Sequence, residues 1–385
     1  MEIMIVTGEA SGDGHGAKLV RELRHIAPSQ EIGFFGAAGP KLRDAGVEAV
    51  VESDELSIVG LLEIGRALPV FLRAFKKLVK AAVERRPDAV VLIDFPEFNL
   101  KLSKALKKRG LTVIYYITPQ VWAWRKYRAK ALARDTDLLL TILPFEKKWF
   151  NDNGVKSVEY VGSPLAREVH ATESKEGFCA RHGLDPTRPI ISLLPGSRHK
   201  EIIRILPVML RSMALIAKRS PEAQFILAAA REKDLKDCRD AIAAIDADVS
   251  RLKVVVGETY NVLNASDAAE VTSGTATLEA GVIGVPMAIV YKTSKINYGI
   301  FMPMISVEHF GLINLIAEKR VVKEMIQDDF TAETVSAEMI RLLDADVNRQ
   351  VREELRIAAE KLGHGGASKR AAEAILRSIV EKSHA

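Results

Sequence analysis

The 385-residue chain has little cysteine and little tryptophan, two of the first and three of the second. Cys179 and Cys238 stand far apart and in no metal-ligand spacing. That excludes a disulfide framework and a cysteine zinc site, and it fits a reducing compartment. A run long enough to span a bilayer is also lacking. The long uncharged stretch at residues 112–124 is too short and contains Pro119. The opening MEIMIVTGEASGD has no basic leader, so it reads as a first buried strand and not as a signal peptide. There is no HExxH pair and no Gly-x-Ser-x-Gly elbow, which sets aside the zincin and α/β-hydrolase chemistries. Asp-x-Asp pairs occur at Asp135/Asp137, Asp246/Asp248 and Asp344/Asp346. None follows an apolar strand, where a nucleotide-bound metal would be held. Neither a metal nor another cofactor is therefore expected, and charge on a leaving diphosphate falls to arginine and helix amides.

What is present is ordinary for a folded protein: 48% hydrophobic and 27% charged residues. The length exceeds what one core usually serves, so two domains are expected. A net charge of +5 suits anionic partners such as sugar phosphates or an anionic lipid surface. No Lys/Arg block is dense enough to favour nucleic acid.

Short apolar, partly β-branched runs lie at residues 3–7, 33–36, 89–93, 113–117, 138–143 and 159–161. Helical patterns such as 17–26 and 70–85 separate them, which implies a parallel sheet covered on both faces. Residues 165–188 are charged and irregular and read as a linker. A second series of strands follows at 190–194, 224–228, 252–256, 268–271 and 287–291. The expected organisation is an α/β domain over residues 1–165, a second over 166–343, and a helical tail over 344–385. The stretch 367–380 of that tail is expected to return to the first domain.

Several motifs sit where open α/β sheets bind ligands, just beyond strand carboxyl ends. The Gly-rich turn from Gly8 to Gly14 follows the first strand, and Ser11, Gly12 and Asp13 are read as lining a substrate. A plain structural turn is the rival reading. Asp94-Phe95-Pro96-Glu97-Phe98-Asn99 carries two carboxylates three residues apart, suited to taking a proton from a hydroxyl. Its rival is Asp94 as a helix cap with Glu97 merely solvated. Gln120, Trp122 and Arg125 follow another strand, in a stretch that holds two of the three tryptophans. Indole faces and a guanidinium fork suit sugars and phosphates, though aromatics are more often core.

In the second half, Arg198 of Leu194-Pro195-Gly196-Ser197-Arg198 is placed to neutralise a phosphate. Ser273, Gly274 and Thr275 open a helix whose amides suit an anion, and Glu279 follows about one turn later, where it can meet ribose hydroxyls. A simple helix cap would look similar. Residues 61–80 are apolar and basic. Ile64, Leu68, Phe71, Leu72, Phe75 and Leu78 lie near helical spacing, with Arg66, Arg73, Lys77 and Lys80 opposite. This helix suits either a membrane interface or a core with a solvated basic face.

Taken together, GEASGD, IDFPEFN, TPQVWAWR, LPFEK at residues 143–147, LLPGSR, SGTATLE and INLIAEKRVVKEMIQ closely resemble the lipid-A-disaccharide synthase family over residues 3–380. The resemblance implies a GT-B fold: two Rossmann-like domains with parallel sheets facing across a cleft, the second gripping the nucleotide. It implies an inverting, metal-free transfer from UDP-2,3-diacylglucosamine to 2,3-diacylglucosamine 1-phosphate (lipid X). The products are the disaccharide 1-phosphate of lipid A and UDP. The family's proposed base corresponds to Glu97, with Asp94 a rival. On the nucleotide side the carry-over selects Arg198, Ser273, Thr275, Glu279, Asn314 and Gln327. Gly162-Ser163-Pro164 and Leu312-Ile313-Asn314 depart from the family pattern. Acylated substrates imply work at the cytoplasmic face of the inner membrane, and a homodimer is an open assembly. The alternatives are another GT-B enzyme, such as a UDP-GlcNAc 2-epimerase or a lipid-linked cell-wall transferase, or a non-catalytic nucleotide-sugar-binding membrane protein.

Overall fold

The computed structural model describes residues 1–54, 56, 64–246, 248–295, 298–299, 302, 305–363 and 365–383. The chain divides into two units, Met1–Pro164 together with the helix Ala367–Ser383, and Leu165–Gly363.

The first unit holds seven strands: β1 (Glu2–Val6), β2 (Gly33–Ala38), β3 (Glu48–Glu52), β4 (Ala89–Ile93), β5 (Val113–Tyr116), β6 (Leu138–Thr141) and β7 (Val158–Tyr160). They pair in the order β3-β2-β1-β4-β5-β6-β7, every pair parallel. Because side chains alternate across a strand, each central strand feeds two cores. Ile3, Ile5, Val91 and Ile93 enter one; Met4, Val6, Val90 and Leu92 enter the other. Such two-sided burial explains why these strands read as continuous apolar runs. Helix α1 (Ala10–Ile26) covers the first face with Leu19, Val20 and Leu23. Helices α2 (Ile64–Arg85) and α3 (Pro96–Lys107) cover the second through Ala74, Leu78, Leu102 and Leu106. Each fully buried Leu or Ile contributes about 1.5–3 kcal/mol. Two short helices, α4 (Val121–Trp124) and α5 (Glu146–Asp152), follow β5 and β6.

The second unit repeats the scheme with β8 (Ile190–Leu194), β9 (Gln224–Ala229), β10 (Leu252–Val256), β11 (Ala268–Thr272), β12 (Met287–Tyr291) and β13 (Lys323–Ile326). Their order is β10-β9-β8-β11-β12-β13, again parallel throughout. The helices needed below are α6 (His199–Arg219), α7 (Thr275–Ile283), α8 (Leu312–Ala317) and α9 (Ala345–Glu360); α10 (Ala367–Ser383) returns to the first unit.

Two boundaries and the number of strands differ from the sequence reading. Residues 165–188 are not a linker but the start of the second unit. The helix Lys175–His182 there buries Phe178 and Cys179, opened by the Ser174 cap and closed by Gly183 at φ 65°. The tail over 344–385 is split. Helix α9 buries Val351, Leu355 and Ala358 within the second unit, and Arg352 donates to the carbonyls of Gly284 and Ser266. Only α10 packs on α1 in the first unit. Finally, β3 and β13 are additional to the strands expected from the sequence. Both are edge strands with mixed burial, so neither shows the apolar run of a central strand.

No helix among the described residues is long and apolar enough to cross a membrane. Of the basic apolar segment, residues 61–63 and the side chains of Ile64 and Arg66 lie outside the described part. The remainder is divided between the two readings. Phe71 and Phe75 pack on Phe98, with ring centroids 6.2 and 6.0 Å away, so they face the core. Leu68 and Leu72 point outward, 58% and 50% exposed, beside exposed Arg73, Lys77 and Lys80.

Candidate functional site

In each sheet the strand order reverses beside the first strand of the unit, between β1 and β4 and between β8 and β11. These are the switch points where doubly wound sheets bind ligands.

At the first switch point the chain is held in strained conformations. Asp94 and Phe95, after β4, have φ of 49° and 52°, and Ile117, after β5, has φ of 59°. Left-handed backbone at non-glycine residues costs about 1–3 kcal/mol each and persists where its surroundings fix it. The Asp94 carbonyl is gripped twice, accepting from the Tyr115 hydroxyl at 2.6 Å and the Asn99 amide at 2.8 Å. Across the turn, a Cβ at Gly8 would meet the Phe95 ring at 2.3 Å, so only glycine fits there. Asp94 itself is half-buried. Burial first, then the nearby charge of Glu9, push its carboxyl up to about 6.

Glu97 lies in the first turn of α3 with its side chain 65% exposed. One carboxylate oxygen meets Arg125 at 2.7 Å and Arg128 at 2.9 Å, and the other accepts from Arg128 at 2.9 Å. Hydrogen bonding from Arg128 and both guanidinium charges hold it below the usual carboxylate range. Arg125 stacks on Trp124, 3.9 Å from the ring centroid.

Next to this pair a buried carboxylate fastens two loops together. Glu146 accepts from Trp122 Nε1 at 3.0 Å and from the backbone N–H groups of Ile142 and Leu143 at 3.1 and 3.0 Å. Burial pushes it up to about 7 against those bonds. Trp122 is thus buried, edge-on to Phe145.

Three of the first-unit residues read as ligand-facing are buried and bonded within the protein. Asp13 is buried and caps the helix Pro40–Asp44, accepting from the backbone of Gly39, Lys41 and Leu42. Asn99 is buried beneath the Asp94 turn, and Trp122 is committed to Glu146. These residues shape the loops, and the hydrogen bonds they make are to protein. Gly12 is buried against Thr7 and the Ile93 carbonyl. Ser11, Gln120 and Glu97 are exposed at the strand ends.

The second switch point surrounds a cavity of ≈520 Å³. Four cations line it, Arg198, Lys200, Arg204 and Lys292, together with Tyr291, Tyr298 and Phe310. After β8, Gly196 turns at φ 98°, and a Cβ there would lie 2.6 Å from a Glu201 oxygen. Glu201 accepts from Arg198 at 2.8 Å, leaving that guanidinium 83% exposed. After β11, Gly274 adopts φ 150°, ψ −160°, a region only glycine enters freely. Among the described residues no side chain caps α7 there, so the Thr275 and Ala276 amides can meet an anion, while the Thr277 N–H donates to the Gly274 carbonyl. Ser273 lines the cavity while its hydroxyl donates to the Phe310 carbonyl at 3.1 Å. Thr275 is exposed at the helix start. Glu279 accepts from the Tyr260 hydroxyl at 3.1 Å, and burial raises its carboxyl.

Asn314 and Gln327, like Asn99, are buried and bonded within the protein. Asn314 is fully buried, accepting from the Val321 and Val322 N–H groups and donating to the Val322 carbonyl and Glu324. Glu324 in turn holds the N–H groups of Phe310 and Gly311. Gln327 clasps Thr293 through both its amide atoms. They build the cavity wall from behind. Sequence reading missed Lys200, Arg204, Lys292 and Phe310 here, and Arg128 and Glu146 in the first unit. Arg204 follows Lys200 by four residues, helical spacing that places both on one face; Lys292 and Phe310 carry no such signal.

The family model described as "Lipid-A-disaccharide synthetase" matches residues 3–379. The lipid-A-disaccharide synthase of Geobacter sulfurreducens is 42% identical, covering 98% of this chain and 97% of that protein. That of Geobacter metallireducens is 43% identical over 99% and 98%. Among solved structures, a UDP-GlcNAc 2-epimerase from Neisseria meningitidis, bound to UDP-GlcNAc, superposes with a TM-score of 0.60 at 13% identity, covering 98% of this chain and all of that one. MurG of Acinetobacter baumannii gives 0.57 at 12% identity over 98% and 99%. At such identities the likeness concerns fold alone, which is that of the GT-B transferases and epimerases.

Proposed function

The chain belongs to the lipid-A-disaccharide synthase family of glycosyltransferases, and from that premise we propose that it joins UDP-2,3-diacylglucosamine to 2,3-diacylglucosamine 1-phosphate. The observation that carries the reading is a division of chemistry. One unit ends its switch-point strands in carboxylates, and the other ends them around a cation-lined cavity of nucleotide size.

In the proposed step the acceptor 6-hydroxyl oxygen bonds to the donor's anomeric carbon while the bond from that carbon to the UDP oxygen breaks. Attack comes from the face opposite UDP, so the anomeric configuration inverts through an oxocarbenium-like transition state. The hydroxyl proton passes to Glu97. UDP departs with the bonding pair, its charge met by Arg198, Lys200 and the first turn of α7. These groups supply the charge compensation without a metal. A second assignment of the base has an observation in its favour: Asp94, pushed up to about 6, lies nearer the working pH than the ion-paired Glu97.

Acylated substrates call for a membrane surface, and Leu68 and Leu72 with Arg73, Lys77 and Lys80 suit an anionic one. The test of function is disaccharide formation from the two diacylated substrates, followed by thin-layer chromatography with a chelator present. Product and UDP in equal amounts are expected. Free UDP without disaccharide, or epimerised UDP-sugar, would replace this reading with one of its rivals.

A further inference from the structure

The ion pair at Glu97 is lopsided. The Glu97 side chain is 65% exposed, while the Arg125 and Arg128 side chains paired with it are only 25% and 16% exposed. Arg125 is further fixed by stacking on Trp124, 3.9 Å from the ring centroid. The cations are the built half of the pair, and the acid is the removable half.

Charge is unbalanced as well: two guanidiniums face one carboxylate, which leaves a positive charge uncompensated. A sugar phosphomonoester carries about −1.5 to −2 at neutral pH and three acceptor oxygens. Two guanidinium forks match that geometry better than they match one carboxylate. Glu97 opens the helix that follows β4, while Arg125 ends the short helix after β5 and Arg128 opens the next, Arg128–Asp135.

We propose that Arg125 and Arg128 form the seat of the acceptor's anomeric phosphate, and that seating it displaces Glu97 and releases that carboxylate to act as base. The proposal rests on the functional reading above. Before the acceptor arrives, Glu97 is a poor proton acceptor, because hydrogen bonds from Arg128 and the two positive charges favour its ionised form. Once a phosphate takes both arginines, Glu97 stands beside a dianion and its proton affinity rises. The exchange ties base strength to the correct acceptor and keeps the donor sugar from being spent on water. Arg128 is thus a phosphate-binding residue, and Glu97 has two separable roles: it occupies the seat in the resting protein and accepts the proton in turnover.

Those roles predict opposite effects of one substitution. Glucosamine 1-phosphate is titrated into the full-length protein and followed by NMR, with phosphate-free glucosamine as control. Glu97→Gln is expected to tighten glucosamine 1-phosphate binding about tenfold by removing the competing charge, while disaccharide formation collapses. Arg128→Ala is expected to weaken it about tenfold or more, with Arg128→Lys only partly restoring it, and neither changes glucosamine binding. Thermal melting of each variant checks that it is folded. Unchanged or weaker glucosamine 1-phosphate binding by folded Glu97→Gln overturns the proposal. So does tighter binding with full turnover retained, because the released carboxylate would then not be the base. If the wild-type protein makes no disaccharide, the functional reading fails instead, and the titration still reports on the seat by itself.

Discussion

The two units share one strand order through their first six strands and differ in the loops at the strand ends. In the first unit the loops at the switch point present Glu9, Asp94 and Glu97. In the second they present Arg198, Ser273, Gly274 and Thr275, with Lys200 and Arg204 a turn or two into α6. The first unit stores strain at non-glycine residues, Asp94, Phe95 and Ile117. The second makes its turns after β8 and β11 with glycine, Gly196 and Gly274, and keeps left-handed non-glycine residues further along, at Glu318 and at Gln327 after β13. The difference teaches that the scaffold sets where a ligand lies, while the loops set the sign of the charge that meets it. A proton acceptor needs a side chain held in place, at a cost in strain. A diphosphate is held by backbone amides and cations, which glycine turns expose with little strain.

The sharpest way to break the contrast is to remove the carboxylates. Glu97→Gln should lower turnover ~10²–10⁴-fold and leave UDP affinity, measured by calorimetry, unchanged. If Asp94→Asn does this and Glu97→Gln does not, the base is Asp94. The pH profile separates the two carboxylates independently. A base works only when deprotonated, so activity is lost as pH falls through its pKa. With Asp94, kcat/KM should decline below about pH 6. With Glu97, which its arginine partners hold low, the plateau should reach further into acid. A smaller effect is expected in the second unit. Arg198→Ala removes a charged contact worth about 1.5–3 kcal/mol, so UDP binding should weaken tenfold or more while glucosamine 1-phosphate binding stays the same. The smallest concerns the outer surface. Leu68→Ser with Leu72→Ser should reduce flotation with anionic vesicles several-fold without lowering the melting temperature. Phe71→Ser should instead destabilise the fold, because that ring packs on Phe95 and Phe98.

Most of this architecture is legible in the sequence, since strands buried on both faces spell themselves as unbroken apolar runs. Ala89–Ile93 and Ile190–Leu194 are fully buried along their length. Two of the four edge strands are not legible: Glu48–Glu52 and Lys323–Ile326 carry charged residues at sites open to solvent. The site is legible as positions and less so as roles. Asp13, Asn99, Trp122, Asn314 and Gln327 read as ligand-facing in the sequence, and each is buried and bonded to protein atoms. A polar residue that meets a ligand and one that braces the loop behind it occur in the same motifs. Burial tells them apart: these five are buried, whereas Ser11, Glu97, Gln120 and Thr275 are open to solvent. Arg128 escapes a sequence reading for the opposite reason: an arginine on a helix among other basic residues shows nothing special until its carboxylate partner is known.

The return of α10 to the first unit has a consequence for biosynthesis. Ala371, Ala372, Ala374 and Ile375 belong to the same core as Ile3 and Ile5. Arg370 and Arg377 also bind the Val161 carbonyl and Glu159. On the ribosome, the first unit must wait for residues 367–383 before the face that α1 covers in part is fully closed, whereas the second unit is contiguous. The usual order of folding along a nascent polypeptide is thereby delayed for the first unit, and a fragment stopping at residue 164 would leave the apolar strip that α10 covers open to chaperones or aggregation.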